Sequence, residues 1–182
     1  MFHVGAGTGY FSALFAALVG SAGRVVAAEI DPELRGLAQA NLAAWPQAEV
    51  IGDALEAAPG AFDLLYCSAG IGTLPPSWLK ALRLGGRMVL PVTGPHDHGV
   101  VFLFHKIAED RPWPVRMLSF TRHYPCLGTR GEGDVAALGR ALARPPSMVT
   151  GLRLDPHPAG PECWLHGEGW CLSADKRPLN NP

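Results

Sequence analysis

The sequence predicts an α/β fold, a mostly parallel sheet with helices between its strands and an antiparallel hairpin towards its C-terminal end. Three observations predict it. A short apolar run, residues 1–4, enters a glycine-rich turn. Apolar strand-like runs then alternate with amphipathic helical stretches as far as residue 92. Beyond residue 100, two segments of period-two hydrophobicity follow one another without a helix between them.

Within MFHVGAGTGY, Gly5, Gly7 and Gly9 form GxGxG. Such a turn presents backbone N–H groups at a helix N-terminus, where polar or anionic ligand groups are favoured. A dinucleotide fingerprint would need glycine at position 10, where Tyr10 stands, and this disfavours a nicotinamide-dependent oxidoreductase. The first helix is expected over residues 8–19, with Phe11, Leu14, Phe15 and Leu18 as its inward stripe. A strand over residues 24–30 follows, with Glu29 near its end. An acid at that place accepts from ribose hydroxyls in nucleotide-type folds, or it caps the next helix. Asp31, followed by Pro32, is the better cap, which leaves Glu29 for ribose.

The second helix is expected over residues 32–44, with Leu34, Leu37, Ala38 and Leu42 inward. A third strand, residues 49–51, closes on Gly52, Asp53 and Ala54, where Asp53 is equally an acceptor for an adenine amino group or a turn aspartate. The fourth strand, residues 62–68, reads as an apolar run of the kind a central parallel strand requires. The loop 69–73 lies at its carboxyl end, where ligands sit in open α/β sheets. A helix over 75–82, a turn at Gly85 and Gly86 and a strand over 87–92 complete the parallel part. Residues 100–106 and 115–121, joined through 109–114, form the hairpin. Further on, Asp134 is expected to cap a helix to about residue 143, stopped by Pro145 and Pro146. Residues 149–154 and 163–173 are expected to pair as a second hairpin, with Trp164 and Trp170 as core or interface anchors and residues 175–182 as a frayed end.

A chain of 182 residues with 48% hydrophobic and 17% charged residues is a folded single domain rather than a disordered one. A net charge of −1 argues against a nucleic-acid partner. No apolar run approaches the roughly 18 residues that span a membrane, and residues 11–19 lack the basic segment of an export signal, so a cytoplasmic place is expected. Cys67, Cys126, Cys163 and Cys171 show no CxxC pairing, which fits reduced thiols rather than a disulfide frame or a zinc site. His96, Asp97, His98 and His105 lack a helical HxxxH spacing and read as polar loop and strand residues, so no metal is expected. The first strand has only residues 1–4 available, as if the chain starts inside a domain.

The segments VGAGTGYFSALFAALVG, AAEIDPEL and FDLLYCSAGIGTLPPSWLKALRLGGRMVLPV, with the hairpin ending VRMLSFT, resemble the protein-L-isoaspartate (D-aspartate) O-methyltransferase family. The two prolines, the amphipathic helix, Gly-Gly-Arg and the strand ending Pro-Val are the most family-specific part. The resemblance implies a Rossmann-like, class I S-adenosylmethionine (SAM) methyltransferase sheet. Residues 1–122 would be its SAM-binding core, lacking the family's N-terminal helical segment, and residues 123–182 a C-terminal extension of a helix and a hairpin. It implies that Gly5, Ala6, Gly7 and Gly9 hold the methionine part of SAM, that Glu29 holds the ribose, and that Asp53 and Ala54 lie near the adenine. Residues 68–73 would border the transferring methyl, with Ser68 and Thr73 on the substrate side. Arg116 or Arg122 is a further candidate there, although a solvated hairpin face is the simpler reading of both.

The function implied is methyl transfer to a protein or peptide carboxylate, L-isoaspartyl or D-aspartyl, with no general base, because a carboxylate is already ionised at neutral pH. The alternative is a non-catalytic SAM-fold protein that acts as a binding module. Where the family reads Thr-Ala-Ala after the fourth strand, this chain has Ser68, Ala69 and Gly70. The Asp/Asn-Pro-Pro-aromatic motif of amino-methylating nucleic-acid enzymes is absent there, as is the acidic ligand of metal-dependent catechol-type enzymes. The oligomeric state is left open.

Overall fold

The structure is a computed structural model and describes residues 1–56 and 60–174; the expected frayed end, residues 175–182, lies outside them. Strand β1 (Phe2–Val4) leads through the glycine turn into helix α1 (Tyr10–Val19). Strand β2 (Val25–Ala28), helix α2 (Pro32–Leu42) and strand β3 (Ala48–Ile51) follow. Strand β4 (Phe62–Cys67), helix α3 (Pro76–Ala81) and the long strand β5 (Leu82–Thr93) come next. Strands β6 (His98–His105) and β7 (Trp113–Arg122) form the antiparallel hairpin. Helix α4 (Glu132–Ala141) and strands β8 (Gly151–Arg153), β9 (Cys163–Gly167) and β10 (Trp170–Ser173) end the described chain.

Among the described residues the strands make one sheet in the order β3-β2-β1-β4-β5-β6-β7-β8-β10-β9. Pairing is parallel from β3 to β5 and antiparallel at every later step. The sheet is therefore mixed, and the expectation of a mostly parallel sheet holds for its first five strands only. β5 is the hinge between the two modes, with β4 parallel on one side and β6 antiparallel on the other. The strand order reverses between β1 and β4, the place where open α/β sheets form a crevice at their carboxyl ends.

The core follows the sheet. Phe2, Leu65, Met88, Leu90, Phe102 and Phe104 are fully buried along its centre, and Trp78, Trp113 and Trp164 close its sides. Trp164 packs edge-on against Phe102, and Trp170 is buried too, as expected of core anchors.

Several elements depart from the sequence reading. Of the inward stripe expected on α1, only Phe15 packs on the sheet, against His3 and Tyr66; Leu14 is 43% and Leu18 82% exposed, while Ser12 and Ala16 are buried. The helix lies close to the sheet, and small residues on its inner side permit this. Ser12 bonds to His3 of β1, and Gln47 Nε2 donates to the Ala16 carbonyl at 2.9 Å. On α2 the inner face is Ala38 and Leu42, and Leu37 is exposed. Gly85 and Gly86 do not end a loop but kink β5 from within, since Gly85 N–H donates to the Lys106 carbonyl and Lys106 N–H returns a bond to Gly86. Asp134 lies in the first turn of α4 rather than before it, and its carboxylate accepts the Gly131 N–H at 2.9 Å. The second hairpin forms inside residues 163–173, between β9 and β10, and β8 adds to β10.

Candidate functional site

A cavity of about 400 Å3 opens at the carboxyl ends of β1, β2 and β4. The glycine loop forms one side. Gly5 and Ala6 N–H groups both donate to the Ala28 carbonyl, at 2.9 and 3.0 Å, which ties the loop to the end of β2. Gly7 has φ +58°, and a Cβ there would meet no atom within 4 Å. Any side chain at Gly7 would project into open space beside the cavity. Gly9 differs: at φ +90° its missing Cβ would lie 3.3 Å from Ala38 Cα and 3.2 Å from Leu42 Cγ. Gly9 lets α1 and α2 approach, and it does not line the cavity.

Glu29 stands at the rim, 7% exposed. Its Oε2 accepts the Gly7 N–H at 2.7 Å and its Oε1 accepts the Asp31 N–H at 3.0 Å. The carboxylate therefore pins the glycine loop to the start of α2. Asp31 itself caps α2, with Oδ1 accepting from Glu33 and Leu34 N–H groups. The cap expected of Asp31 is therefore present. A carboxylate offers about four acceptor sites, so Glu29 keeps acceptor capacity towards the cavity.

Asp53 and Ala54 form the far wall. Asp53 Oδ1 accepts the Leu55 N–H at 2.7 Å, a turn aspartate by its bond and a cavity residue by its place. The Ala54 carbonyl accepts Trp78 Nε1 at 3.2 Å, which anchors this wall to α3.

Ser68 lines the floor. Its hydroxyl lies 3.0 Å from His3 Nε2, and His3 Nδ1 lies 2.7 Å from the Ser12 hydroxyl. Burial pushes the His3 pKa down to about 4, so the ring is neutral at pH 7 and carries one N–H and one acceptor nitrogen. His3 thereby links the strand centre, α1 and the cavity floor. Sequence reasoning missed it, because a histidine inside a three-residue apolar strand carries no spacing signal.

Thr73 is not brought to the cavity. Thr129 accepts N–H bonds from both Gly72 and Thr73, which turns the loop towards β10, and Thr73 Oγ1 accepts Trp170 Nε1 at 3.2 Å. Ala6 is buried behind the glycine loop. Arg116 and Arg122 are exposed on β7 and do not line the cavity. Asp97 pairs with Arg130 at 2.8 Å instead of joining a histidine cluster.

The remaining wall was not foreseen. Tyr124, Pro125, Cys126 and Leu127, just after β7, fold back over the loop that follows β4. Gly70 N–H donates to the Tyr124 carbonyl at 2.7 Å, and Cys126 N–H donates to the Gly70 carbonyl at 2.8 Å. Burial pushes the Cys67 thiol up, and the hydrogen bond from Cys67 draws the Cys126 thiol down.

The family model for protein-L-isoaspartate(D-aspartate) O-methyltransferase (PCMT) matches residues 1–122. The chain belongs to this family. A protein-L-isoaspartate O-methyltransferase of Archaeoglobus fulgidus is 38% identical over 95 residues, covering 50% of this chain and 44% of that protein. A solved protein-L-isoaspartate O-methyltransferase superposes with a TM-score of 0.65 at 24% identity, over 78% of this chain and 45% of the other. A Plasmodium falciparum structure described as a PCMT, in complex with S-adenosyl-L-homocysteine, superposes at 0.58 with 17% identity, over 68% of this chain and 63% of the other. At these identities the structural likeness concerns the fold. The chain spans about half the length of the curated relatives it matches. The PCMT match ends at residue 122, so two features come from outside it: the Tyr124–Leu127 wall and the Trp170 contact to Thr73.

Proposed function

We propose that this PCMT-family chain binds SAM in the cavity at the carboxyl ends of β1 and β4 and transfers its methyl group to a protein or peptide carboxylate, an L-isoaspartyl or D-aspartyl side chain. The observation that carries the reading is the bond from the Gly7 N–H to the buried Glu29 carboxylate, which holds a glycine loop open at the rim of a ligand-sized cavity. The donor set suits the cofactor. Gly7 leaves room where any side chain would project, Glu29 keeps acceptor capacity for two ribose hydroxyls, and Asp53 offers a second oxygen for an amino group.

SAM, when bound, supplies an electrophilic methyl on a sulfonium. Gly5 and Gly7 would line the methionine part, supported from behind by Ala6 and Gly9. Glu29 would hold the ribose, and Asp53 and Ala54 would border the adenine. The Tyr124–Leu127 wall would cover the cofactor on the side opposite the glycine loop. A carboxylate with a pKa of about 4 arrives ionised, so the residues need to orient it rather than deprotonate it. Ser68 would orient it, with its own hydroxyl held against neutral His3. Thr73 is assigned to the support of the loop by its bond to Trp170. Residues 1–122 would form the catalytic core and residues 123–174 an extension that completes the cavity wall and prolongs the sheet.

No helix among the described residues is long and apolar enough to cross a membrane. With four cysteines unpaired, this supports a cytoplasmic place. Calorimetric titration with SAM and separately with NAD tests the cofactor; micromolar SAM affinity without an NAD response is expected. A methylation assay on an isoaspartyl peptide then tests the acceptor. A folded chain that binds neither ligand would remove the reading.

A further inference from the structure

Outside the family match, the C-terminal strands bring together four side chains that the methyl-transfer reading does not use. Ligand atoms of His157, Cys163, His166 and Cys171 all lie within 4.8 Å of one another. The geometry points to a structural zinc site here, built from two thiolates and two imidazoles. A tetrahedral zinc ion with bonds of about 2.0–2.3 Å sets its ligand atoms roughly 3.3–3.8 Å apart. Cys163 Sγ and His157 Nε2 are already 3.6 Å apart. The remaining closure is within the reach of side-chain rotation.

Several independent features prepare these residues as ligands. His157 Nδ1 lies 2.7 Å from the Asp155 carbonyl, which only accepts, so Nδ1 carries the proton and Nε2 turns its lone pair to the cluster. Gly160 N–H donates to Cys163 Sγ at 3.4 Å, which holds the sulfur at the start of β9. His166 and Cys171 are directly opposite in the β9–β10 ladder. Cys163 and His166 are three residues apart and would face opposite sides of a regular strand. The register shift between Leu172 and Ser173 leaves Trp164 as an extra residue on β9 and turns Cys163 back to the face of His166. Arg153, opposite Cys171 on β8, forks onto Asp155 at 3.0 and 2.6 Å and reaches Glu162 at 3.8 Å. It places a cation beside two sulfurs and fastens both ends of the intervening loop.

Two thiolates neutralise the ion's charge, and the two thiol protons pass to solvent on binding. Four protein ligands leave no open position, so the site is structural rather than catalytic. The soft S2N2 donor set selects zinc over calcium or magnesium. Its effect is to clamp residues 154–162, which carry no helix or strand and include three prolines, onto the β9–β10 hairpin. The inference stands apart from the cofactor cavity and does not depend on it.

The test uses the full chain. Elemental analysis of the purified protein should find one zinc per chain. Cobalt(II) titrated into the zinc-stripped chain should give intense visible bands of tetrahedral coordination and near-ultraviolet thiolate-to-cobalt charge transfer. Cys163→Ser and Cys171→Ser should abolish the charge-transfer band or halve it. His166→Asn, at an exposed position, should weaken binding at least about tenfold while the melting cooperativity persists. Cys126→Ser should leave the spectrum unchanged. The inference is overturned by a weak octahedral cobalt spectrum, by metal binding unchanged in the Cys163→Ser/Cys171→Ser double variant, or by a Cys163–Cys171 disulfide without stoichiometric metal.

Discussion

The Glu29 carboxylate accepts the Gly7 N–H at 2.7 Å, and this contact sets the shape of the glycine loop at the cavity rim. Glu29→Gln keeps one carbonyl oxygen but loses the charge that strengthens the bond, a loss of about 1.5–3 kcal/mol where the acceptor is ionised. SAM affinity should fall about tenfold or more by calorimetry, with a smaller decrease in melting temperature. An affinity equal to wild type would place the ribose elsewhere.

Gly7 and Gly9 should respond in opposite ways. Gly7→Val adds a side chain beside the cavity at φ +58°, with a backbone cost of about 1–2 kcal/mol. It should lose SAM binding while the fold survives. Gly9→Ala forces a Cβ to within 3.3 Å of Ala38 Cα at φ +90°. It should lose about 1–3 kcal/mol of stability through overpacking between α1 and α2. Urea denaturation and SAM titration of both variants separate the two effects, and a reversed pattern would refute the assignment.

His3 makes stability depend on acid pH. Its folded pKa is depressed to about 4 from an ordinary 6.5, because burial penalises the imidazolium. As pH falls, the unfolded chain takes up this proton first. The contribution of His3 is therefore complete above pH 6.5 and is lost progressively down to about pH 4, with a total of about 3 kcal/mol. The urea midpoint of the wild type should decline between these limits, and His3→Gln should flatten that decline. Parallel curves for the two proteins would show that His3 is not the titrating group.

Thr73 and Trp170 should behave as a structural pair. Removal of the hydrogen bond by Thr73→Val should cost about 1 kcal/mol, and Trp170→Phe should cost more because it also shrinks a buried ring, while the double variant should fall short of the sum of the two. Methylation of an isoaspartyl peptide by Thr73→Val should stay near wild type, whereas Ser68→Ala should lower it. A large rate loss in Thr73→Val with unchanged stability would return Thr73 to the substrate side.

The parallel half of the sheet was legible from residues whose types follow local rules. A uniform apolar run gave β2, a run interrupted by Asp63 alone gave β4, and Asp31-Pro32 gave the start of α2. The distance from Gly9 gave Glu29. The inner face of α1 was not legible, because the approach of the helix to the sheet, and not its own hydrophobicity, decides that Ser12 and Ala16 point inward. Tyr124–Leu127 became a cavity wall through backbone bonds to Gly70, which no side-chain pattern announces. The same limit hid the cluster of His157, Cys163, His166 and Cys171. Its spacing is neither CxxC nor HxxxH, and its assembly rests on one extra residue in β9.

The place of β1 in the sheet bears on how the chain folds. This three-residue strand pairs Phe2 with Val26 on one side and with Leu65 on the other. The β9–β10 hairpin closes within residues 163–173. Hairpins of that size form in about 1–10 μs, whereas pairing across some sixty residues must first overcome a larger loop-closure entropy. The hairpin can therefore nucleate on its own, while the cavity exists only once the sheet centre has closed around β1. A slow refolding phase should accordingly carry the recovery of ligand binding, and amide exchange at His3 should report global rather than local opening.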